Sequence, residues 1–188
     1  GWYTLSLHDA LPSWYVARFN EDARRTHATI VMRRGAEPVA LGLFADSSRE
    51  GQALCVVADD QPGLLARISA AFVAEGLEII SAEARTRRAL AGQREAVDTF
   101  WVRPHEGALD EARLARLTVG LARLIQGKEL PLTATEAESA ASGGSGGQTV
   151  VRFLEDKDGG LTTLEVETDD RPGLLLALAT ALFEARVQ

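Results

Sequence analysis

Apolar and polar residues alternate with two different periods along this chain, and the order of these periods predicts an α+β fold. Period-two stretches predict strands, whereas apolar residues spaced three and four apart predict helices. From residue 51 onward the predicted elements are a strand at 51–59, a helix at 64–75, strands at 77–87 and 95–102, a helix at about 109–127 and a strand at 148–154. This βαββαβ order is typical of the ferredoxin-like fold, a four-stranded antiparallel sheet with both helices on one face.

The pattern begins again 110 residues further along the chain. Residues 59–65 read Asp-Asp-Gln-Pro-Gly-Leu-Leu, and residues 169–175 read Asp-Asp-Arg-Pro-Gly-Leu-Leu. Over the longer windows 54–77 and 164–187, nine of 24 positions are identical. A repeat of this kind indicates one structural unit used twice. We therefore expect residues 155–188 to be the start of a second, truncated copy.

The residues before the first copy predict a helical connector over 13–50. A helix is expected over 20–34, because Asn20 is a favourable N-cap residue and Gly35 ends the pattern. Residues 38–44 then predict a short strand or an extended connector.

Domain boundaries follow from these patterns. The first domain is expected to span 51–154 and to include a Ser/Gly linker at 139–147. Residues 1–12 match nothing downstream, and they lack the basic start and the cleavage site of a signal peptide. We expect them to be a non-native leader.

Composition and charge exclude several classes of partner. The chain has 188 residues and a net charge of −7, with no concentrated basic patch, so a nucleic-acid partner is not expected. No stretch approaches 18 uninterrupted apolar residues, so no membrane span is expected. The single cysteine, Cys55, lies in an apolar strand and cannot form an internal disulfide, which suits a reducing compartment and predicts a cytoplasmic protein.

The repeated Asp-x-Pro-Gly turn has two readings. In the structural one, an aspartate caps the following helix and proline fixes its first turn. In the functional one, the helix start holds a carboxylate, Gly63 lets a ligand reach the backbone, and Asp60 accepts hydrogen bonds from an α-ammonium group. Together these groups suit a free amino acid. The candidate ligand-binding residues are Asp60, Gln61, Pro62, Gly63 and Leu64 in the first copy and Asp170, Arg171, Pro172, Gly173 and Leu174 in the second.

No catalytic or metal-binding constellation accompanies these turns. The three histidines, His8, His27 and His105, are scattered along the chain, and no Ser/His/Asp or Cys/His motif can be assembled. A self-contained enzyme therefore has no set of residues to support it.

The βαββαβ order with Asp-x-Pro-Gly-Leu-Leu after the first strand resembles the ACT domain, a small regulatory module that typically binds amino acids at interfaces between copies. A closer resemblance comes from Ile-Ser-Ala-Glu-Ala-Arg-Thr at 80–86 and Asp-Thr-Phe-Trp-Val at 98–102. With the tandem arrangement, these segments resemble the C-terminal end of the bacterial PII uridylyltransferase/uridylyl-removing enzyme family. That family attaches UMP to the nitrogen-signalling PII protein and removes it, and its tandem ACT domains sense glutamine.

This resemblance implies a regulatory region that binds an amino acid, with glutamine as the ligand and with ACT–ACT pairing. The PII protein, UTP and a divalent metal would belong to catalytic domains upstream, and no cofactor is implied in this part. The alternative is a stand-alone tandem module or an ACT tail on another protein, such as a (p)ppGpp synthetase, a formyltetrahydrofolate deformylase or an amino-acid-biosynthetic enzyme.

The second copy carries apolar residues that one strand and one helix cannot bury. We expect residues 161–188 to dock on the outer face of the first sheet, where Cys55 and Val57 point, or else to stay undocked.

Overall fold

The computed structural model describes residues 13–89, 92–127, 149–155, 162–168, 171 and 173–185. The leader expected at 1–12 and the linker expected at 139–147 lie outside these residues. In chain order the described elements are α1 (Ser13–Arg18), α2 (Glu21–Arg34), β1 (Val39–Phe44), β2 (Gln52–Asp59), α3 (Leu64–Ala74), β3 (Leu77–Glu83), β4 (Thr86–Arg88), β5 (Arg94–Pro104), α4 (Glu111–Ile125), β6 (Val150–Glu155), β7 (Thr162–Glu167) and α5 (Leu174–Glu184).

The helix predicted over 20–34 forms as expected. The Asn20 side chain accepts a hydrogen bond from the backbone N–H of Ala23 at 2.8 Å. Acidic residues occupy the first turn of α2 and arginines the last, so the charges complement the helix dipole, and the helix ends at Gly35. Among the helices in the described parts of the chain, none has the length and apolar character needed to cross a bilayer.

The main sheet is antiparallel, in the order β1–β2–β5–β3, and β4 also pairs with β5. The single strand predicted at 77–87 is divided into β3 and β4. Between them the backbone N–H of Arg85 donates to the carboxylate of Asp98 at 2.9 Å, while the Arg85 carbonyl accepts from Val97 at 2.8 Å. A side-chain acceptor thus replaces one bond of the strand ladder, and the strand bends there.

The fourth strand of this sheet differs from the predicted one. The strand predicted at 148–154 does form, as β6, but it pairs with β7 in a separate two-stranded sheet. Its expected place beside β2 is taken by β1, from the predicted connector. Only residues 45–51 separate β1 from β2, so this hairpin closes a short loop, whereas β6 would have to return across a long connection.

Helices cover both faces of the main sheet. On one face, α3 and α4 contribute Ile68, Phe72, Leu117 and Leu121 to a core with alternate residues of the strands. The two helices of the predicted ferredoxin-like unit therefore lie on the same face, as expected. The arrangement is α+β and compatible with the ferredoxin-like fold.

The opposite face is covered by the N-terminal helices. Phe19, Ala23 and Ile30 pack there with Cys55 and Val57 of β2. The docking expected for residues 161–188 on this face is therefore wrong, because α1 and α2 already occupy it. Helix α5 packs against α3 instead.

The repeat extends further upstream in structure than in sequence. In the first copy Phe44 pairs with Ala53, and in the second Leu154 pairs with Thr163, each position displaced by 110 residues. The two hairpins thus share one register. The repeated unit is a hairpin, a turn and a helix, formed by β1–β2–α3 and again by β6–β7–α5.

Strand β1 can be tested by truncating a side chain that only the sheet would bury. Leu41 is 4% exposed and belongs to the core beneath α3 and α4. We expect Leu41→Ala to lower the free energy of unfolding by about 2–5 kcal/mol, the usual cost of such a cavity. The measurement is urea denaturation followed by circular dichroism.

The matched control is Met32→Ala on the exposed side of α2, where the side chain is 74% exposed. We expect it to change the free energy of unfolding by less than about 0.5 kcal/mol. Equal, small effects of both substitutions would contradict the pairing of β1 with β2.

Candidate functional site

The first motif turn links the end of β2 to the start of α3. Gly63 has φ 76° and ψ 8°, a left-handed conformation that costs glycine little and other residues more. The N–H of Leu64 donates to the carbonyl of Gln61 at 3.1 Å, and the N–H of Arg67 donates to the carbonyl of Gly63 at 3.1 Å. The glycine is therefore required by the turn itself.

The described residues of the second motif turn have the same geometry. Gly173 has φ 73° and ψ 9°. Leu174 donates to the carbonyl of Arg171 at 3.1 Å, and Ala177 donates to the carbonyl of Gly173 at 3.0 Å. Two of the predicted site residues, Asp170 and Pro172, lie outside the described residues.

The start of α3 is not capped as the structural reading of the motif predicted. Its N-cap residue is Gly63, which has no side chain to form a cap hydrogen bond, and the N-cap residue of α5 is likewise a glycine, Gly173. The carboxylate of Asp60 accepts from Thr86 Oγ1 at 2.9 Å, and it pairs with Arg94 at 2.8 Å. Because the Arg94 side chain is 71% exposed, this ion pair is weak, and an incoming ammonium group can share the carboxylate.

The remaining predicted residues of the first turn have different surroundings. The Leu64 side chain is buried in the main core, so it anchors the helix and does not line a site. Pro62 is exposed, and its carbonyl accepts a long hydrogen bond of 3.4 Å from the Arg67 guanidinium. The backbone at Gln61 and Gly63, together with the Asp60 carboxylate, is what the turn offers to a ligand.

The first aspartate of the motif, whose side chain is largely exposed, joins an ion-pair network around buried Arg34 and Glu95 that sequence analysis missed. Arg34, at the end of α2, pairs with Asp59 at 2.6 Å and with Glu95 at 2.7 Å. The second oxygen of Glu95 accepts from Nε of Arg87 at 2.6 Å. The network connects the N-terminal helix to the strand that precedes the turn. Arg87 of β4 is also one of its members.

A second buried carboxylate lies close to the turn. Asp98 of β5 is 3% exposed and shares the inner face of its strand with Phe100. Burial raises the pKa of the Asp98 carboxyl to about 7, and the negative charge of Asp60 adds to the effect, while the Arg85 N–H opposes it. Asp60 and Asp98 together hold the corner between β3 and β4. The only sign of this buried carboxylate in the sequence was an acidic residue inside a run of strand-forming residues.

The space in front of the first turn contains a side chain from the second copy. A Cβ added at Gly63 would lie 3.0 Å from ring atoms of Phe183, near the end of α5. The glycine predicted to admit a ligand therefore also admits this ring.

Other residues singled out in the sequence are packing residues. Phe100 and Trp101 are fully buried in the cores on opposite faces of the sheet. The guanidinium groups of Arg18 and Arg49 lie 5.0 and 4.3 Å from the Trp101 ring. Cys55 is buried, and burial raises the pKa of its thiol.

The described residues hold no metal-binding cluster, and the groove between α2, β1 and α4 lies away from the turns. Among the described residues, no group of three or more His, Cys, Asp and Glu side chains could hold a metal ion. An open groove of about 540 Å³ runs between α2, β1 and α4, and none of its lining residues belongs to either turn.

The pKa of Asp98 predicts a pH dependence of stability. Because the pKa of Asp98 is raised, the folded state favours the neutral acid. The contribution of neutral Asp98 to the free energy of unfolding is therefore complete below about pH 4 and is lost as pH rises to about 7. We expect Asp98→Asn to remove this loss. Between pH 4 and 8 the variant should gain about 2–4 kcal/mol relative to the wild type in the free energy of unfolding.

Urea titrations at several pH values measure this difference. The pKa of His27 is lowered to about 4, chiefly by burial, but His27 is present in both proteins and its contribution cancels. Parallel stability curves for the wild type and the variant would show that Asp98 is ionised in the fold.

The buried network predicts a large effect of removing its arginine. We expect Arg34→Ala to cost about 3–5 kcal/mol in the free energy of unfolding, because Glu95 would stay buried without its main partner. The matched control is Arg25→Ala, which breaks an exposed pair with Glu21 on the same helix and should cost less than about 1 kcal/mol. Similar losses for both variants would contradict the network.

Known proteins with similar sequences indicate the family to which this chain is related. No protein-family model matches the chain, and no solved structure matches it. It is similar to proteins named bifunctional uridylyltransferase/uridylyl-removing enzyme from Ruegeria pomeroyi (27% identity, covering 92% of this chain and 20% of the relative), Erythrobacter litoralis (30%, 93% and 19%) and Novosphingobium aromaticivorans (34%, 74% and 16%).

The resemblance inferred from the motifs is therefore confirmed at the level of the enzyme family. The chain spans about one fifth of the length of the curated relatives that it matches. Over nearly its whole length, this protein is homologous to one segment of the bacterial bifunctional uridylyltransferase/uridylyl-removing enzymes.

Proposed function

We propose that this chain is the glutamine-sensing regulatory region of a bifunctional PII uridylyltransferase/uridylyl-removing enzyme, formed by tandem ACT domains. The observation that carries the proposal is the repeated motif, in which a left-handed glycine, Gly63 or Gly173, stands at the N-cap of a helix in each copy. The names of the relatives support the choice of parent enzyme.

The turn has the chemistry that an amino-acid backbone requires. Backbone N–H groups at the start of a helix, together with the helix dipole, favour a carboxylate. The Asp60 carboxylate, whose present partner Arg94 is largely exposed, accepts from an α-ammonium group nearby. A zwitterion therefore meets complementary charge at both ends, which a simple anion or cation does not.

The ACT assignment rests on strand order and on the repeat. Strand β2 lies beside β5, β5 lies beside β3, and α3 and α4 cover one face. In our proposal β1 occupies the outer position that the last strand of a βαββαβ unit would take. The second copy repeats this hairpin in β6–β7, and the packing of α5 on α3 is a pairing of the two ACT units.

The other parts of the proposed function lie outside this chain. The PII protein, UTP and a divalent metal would act at catalytic domains elsewhere in a cytoplasmic parent protein. Glutamine at the turns would favour one arrangement of the paired domains and so shift the balance between uridylylation and its reversal.

A second candidate is a tandem amino-acid-binding module on another protein, such as a (p)ppGpp synthetase or a formyltetrahydrofolate deformylase. The shared turn geometry supports it equally, whereas the relatives favour the uridylyltransferase. The coding sequence upstream discriminates the two, since only the first requires nucleotidyltransferase motifs.

Calorimetric titration of the full-length protein with glutamine and a panel of other amino acids tests the sensing role. We expect saturable binding of glutamine, which at a hundredfold excess over Kd stabilises the fold by about 2.7 kcal/mol. Asp60→Asn should weaken binding about tenfold or more, because it removes the charged acceptor for the ammonium group.

The control is Glu50→Gln, an exposed carboxylate paired with Arg103, which should leave the Kd unchanged. The absence of saturable binding by any proteinogenic amino acid would overturn the proposed function.

A further inference from the structure

The approach to the first motif turn is occupied by a residue of the second copy. A Cβ added at Gly63 would stand 3.0 Å from Cδ2 and Cε2 of Phe183 and 3.3 Å from Cγ. These distances are shorter than ordinary van der Waals contacts, so a side chain at position 63 would crowd the ring, and glycine lets it lie there. Phe183 is nevertheless 46% exposed, so this contact buries the ring only in part.

The ring belongs to a pair of motif helices that pack together and bury some equivalent positions of the two copies. Helices α3 and α5 pack against each other. Ser69 and Ala179, which correspond across the 110-residue shift, are both small and both buried. Leu65 and Leu175 also correspond, and both pack against the main core. The two motif helices therefore use equivalent positions.

Phe183 is a point at which this symmetry fails. Its counterpart in the first copy is Val73, so an aromatic ring stands where the other helix has a branched aliphatic side chain. The ring covers the start of α3, where no side chain caps the backbone. Those backbone N–H groups are the donors that a carboxylate would use.

We propose that Phe183 gates the first motif turn, and that a free amino acid binding there through its α-carboxylate competes with the ring. This inference rests on the proposed function, because it concerns the regulation of the same site. The ring has to leave Gly63 before a ligand can reach the backbone, and its departure weakens the contact between α3 and α5. The two equilibria are linked. The docked ring weakens ligand binding by a certain factor, and the bound ligand weakens docking of the ring, and with it of α5, by the same factor.

Two substitutions in the full-length protein test the gate by calorimetric titration with L-glutamine. Phe183→Ala should bind glutamine at least about fivefold more tightly than the wild type, the lower end of ordinary coupling between linked sites. The matched control is Val119→Ala on α4, an apolar residue of similar exposure (53%), which should leave the Kd unchanged.

Hydrogen exchange of residues 174–184 supplies a second readout. Saturating glutamine should speed exchange in this helix in the wild type, because the ligand displaces the ring that holds it. In Phe183→Ala, exchange should already be faster without ligand, and glutamine should change it little.

The possible failures are distinguishable. Equal glutamine affinity of the wild type and Phe183→Ala would overturn the gate and leave the proposed function intact, as would slower exchange of residues 174–184 on binding. Absence of glutamine binding in both proteins would overturn the proposed function and, with it, the gate. Unchanged exchange in ligand-free Phe183→Ala would separately show that the ring does not hold α5.

Discussion

The central constraint on this fold is that β2 is buried on both faces and paired on both edges. Leu54 and Val56 point into the core under α3 and α4, and Cys55 and Val57 point into the core under α2; each is at most 1% exposed. A strand that is apolar on both sides is stable only when both sides are covered. The positions of α2, α3 and α4 follow from this requirement.

The same constraint fixes the position of the motif turn. Since β2 is held on every side, its last residue is a rigid point from which the turn starts. Asp59 is bound there by Arg34 of α2, and Asp60 is bound by Thr86 and Arg94 from the neighbouring strands. The two adjacent aspartates therefore bind different parts of the fold. Asp59 binds the N-terminal helix, and Asp60 binds the outer edge of the sheet.

This arrangement gives the turn a physical connection to the rest of the chain. A ligand that draws the Asp60 carboxylate away from Arg94 acts on the corner between β3 and β4, which Asp98 also holds. On the other side, Arg34 joins the strand to α2 through buried Glu95. Separating Arg34 from Glu95 would leave a buried charge without its partner, so this pair holds the strand and the helix together firmly.

Much of the element order was available from the sequence, and the strand partners were not. Periodicity identified α2 and the strand–helix alternation from residue 51, because local residues determine them. Periodicity marks 38–44 and 148–154 alike as extended segments and does not say which of them lies beside β2. The repeat contained the answer, since each motif strand follows another strand at the same interval, but the identities between the copies are confined to 54–77 and 164–187.

The candidate site was predicted in part, for a related reason. The conformation of Gly63 and Gly173 follows from local chemistry, and so both turns could be anticipated. The role of Asp60 depends on Thr86 and Arg94, which the fold brings from other strands. Burial of Asp98 could not be read from a residue type that is usually exposed.

The two copies also show why equal motifs do not give equal sites. Their backbones match at Gly63 and Gly173, yet Gln61 stands opposite Arg171 in the alignment, and Phe183 corresponds to Val73. The main chain supplies the common donors, while these side chains determine access and charge around them. Because the ring that covers the first turn comes from the helix that follows the second, the surroundings of the first turn depend on the second copy. The repeat is therefore best understood as one asymmetric pair.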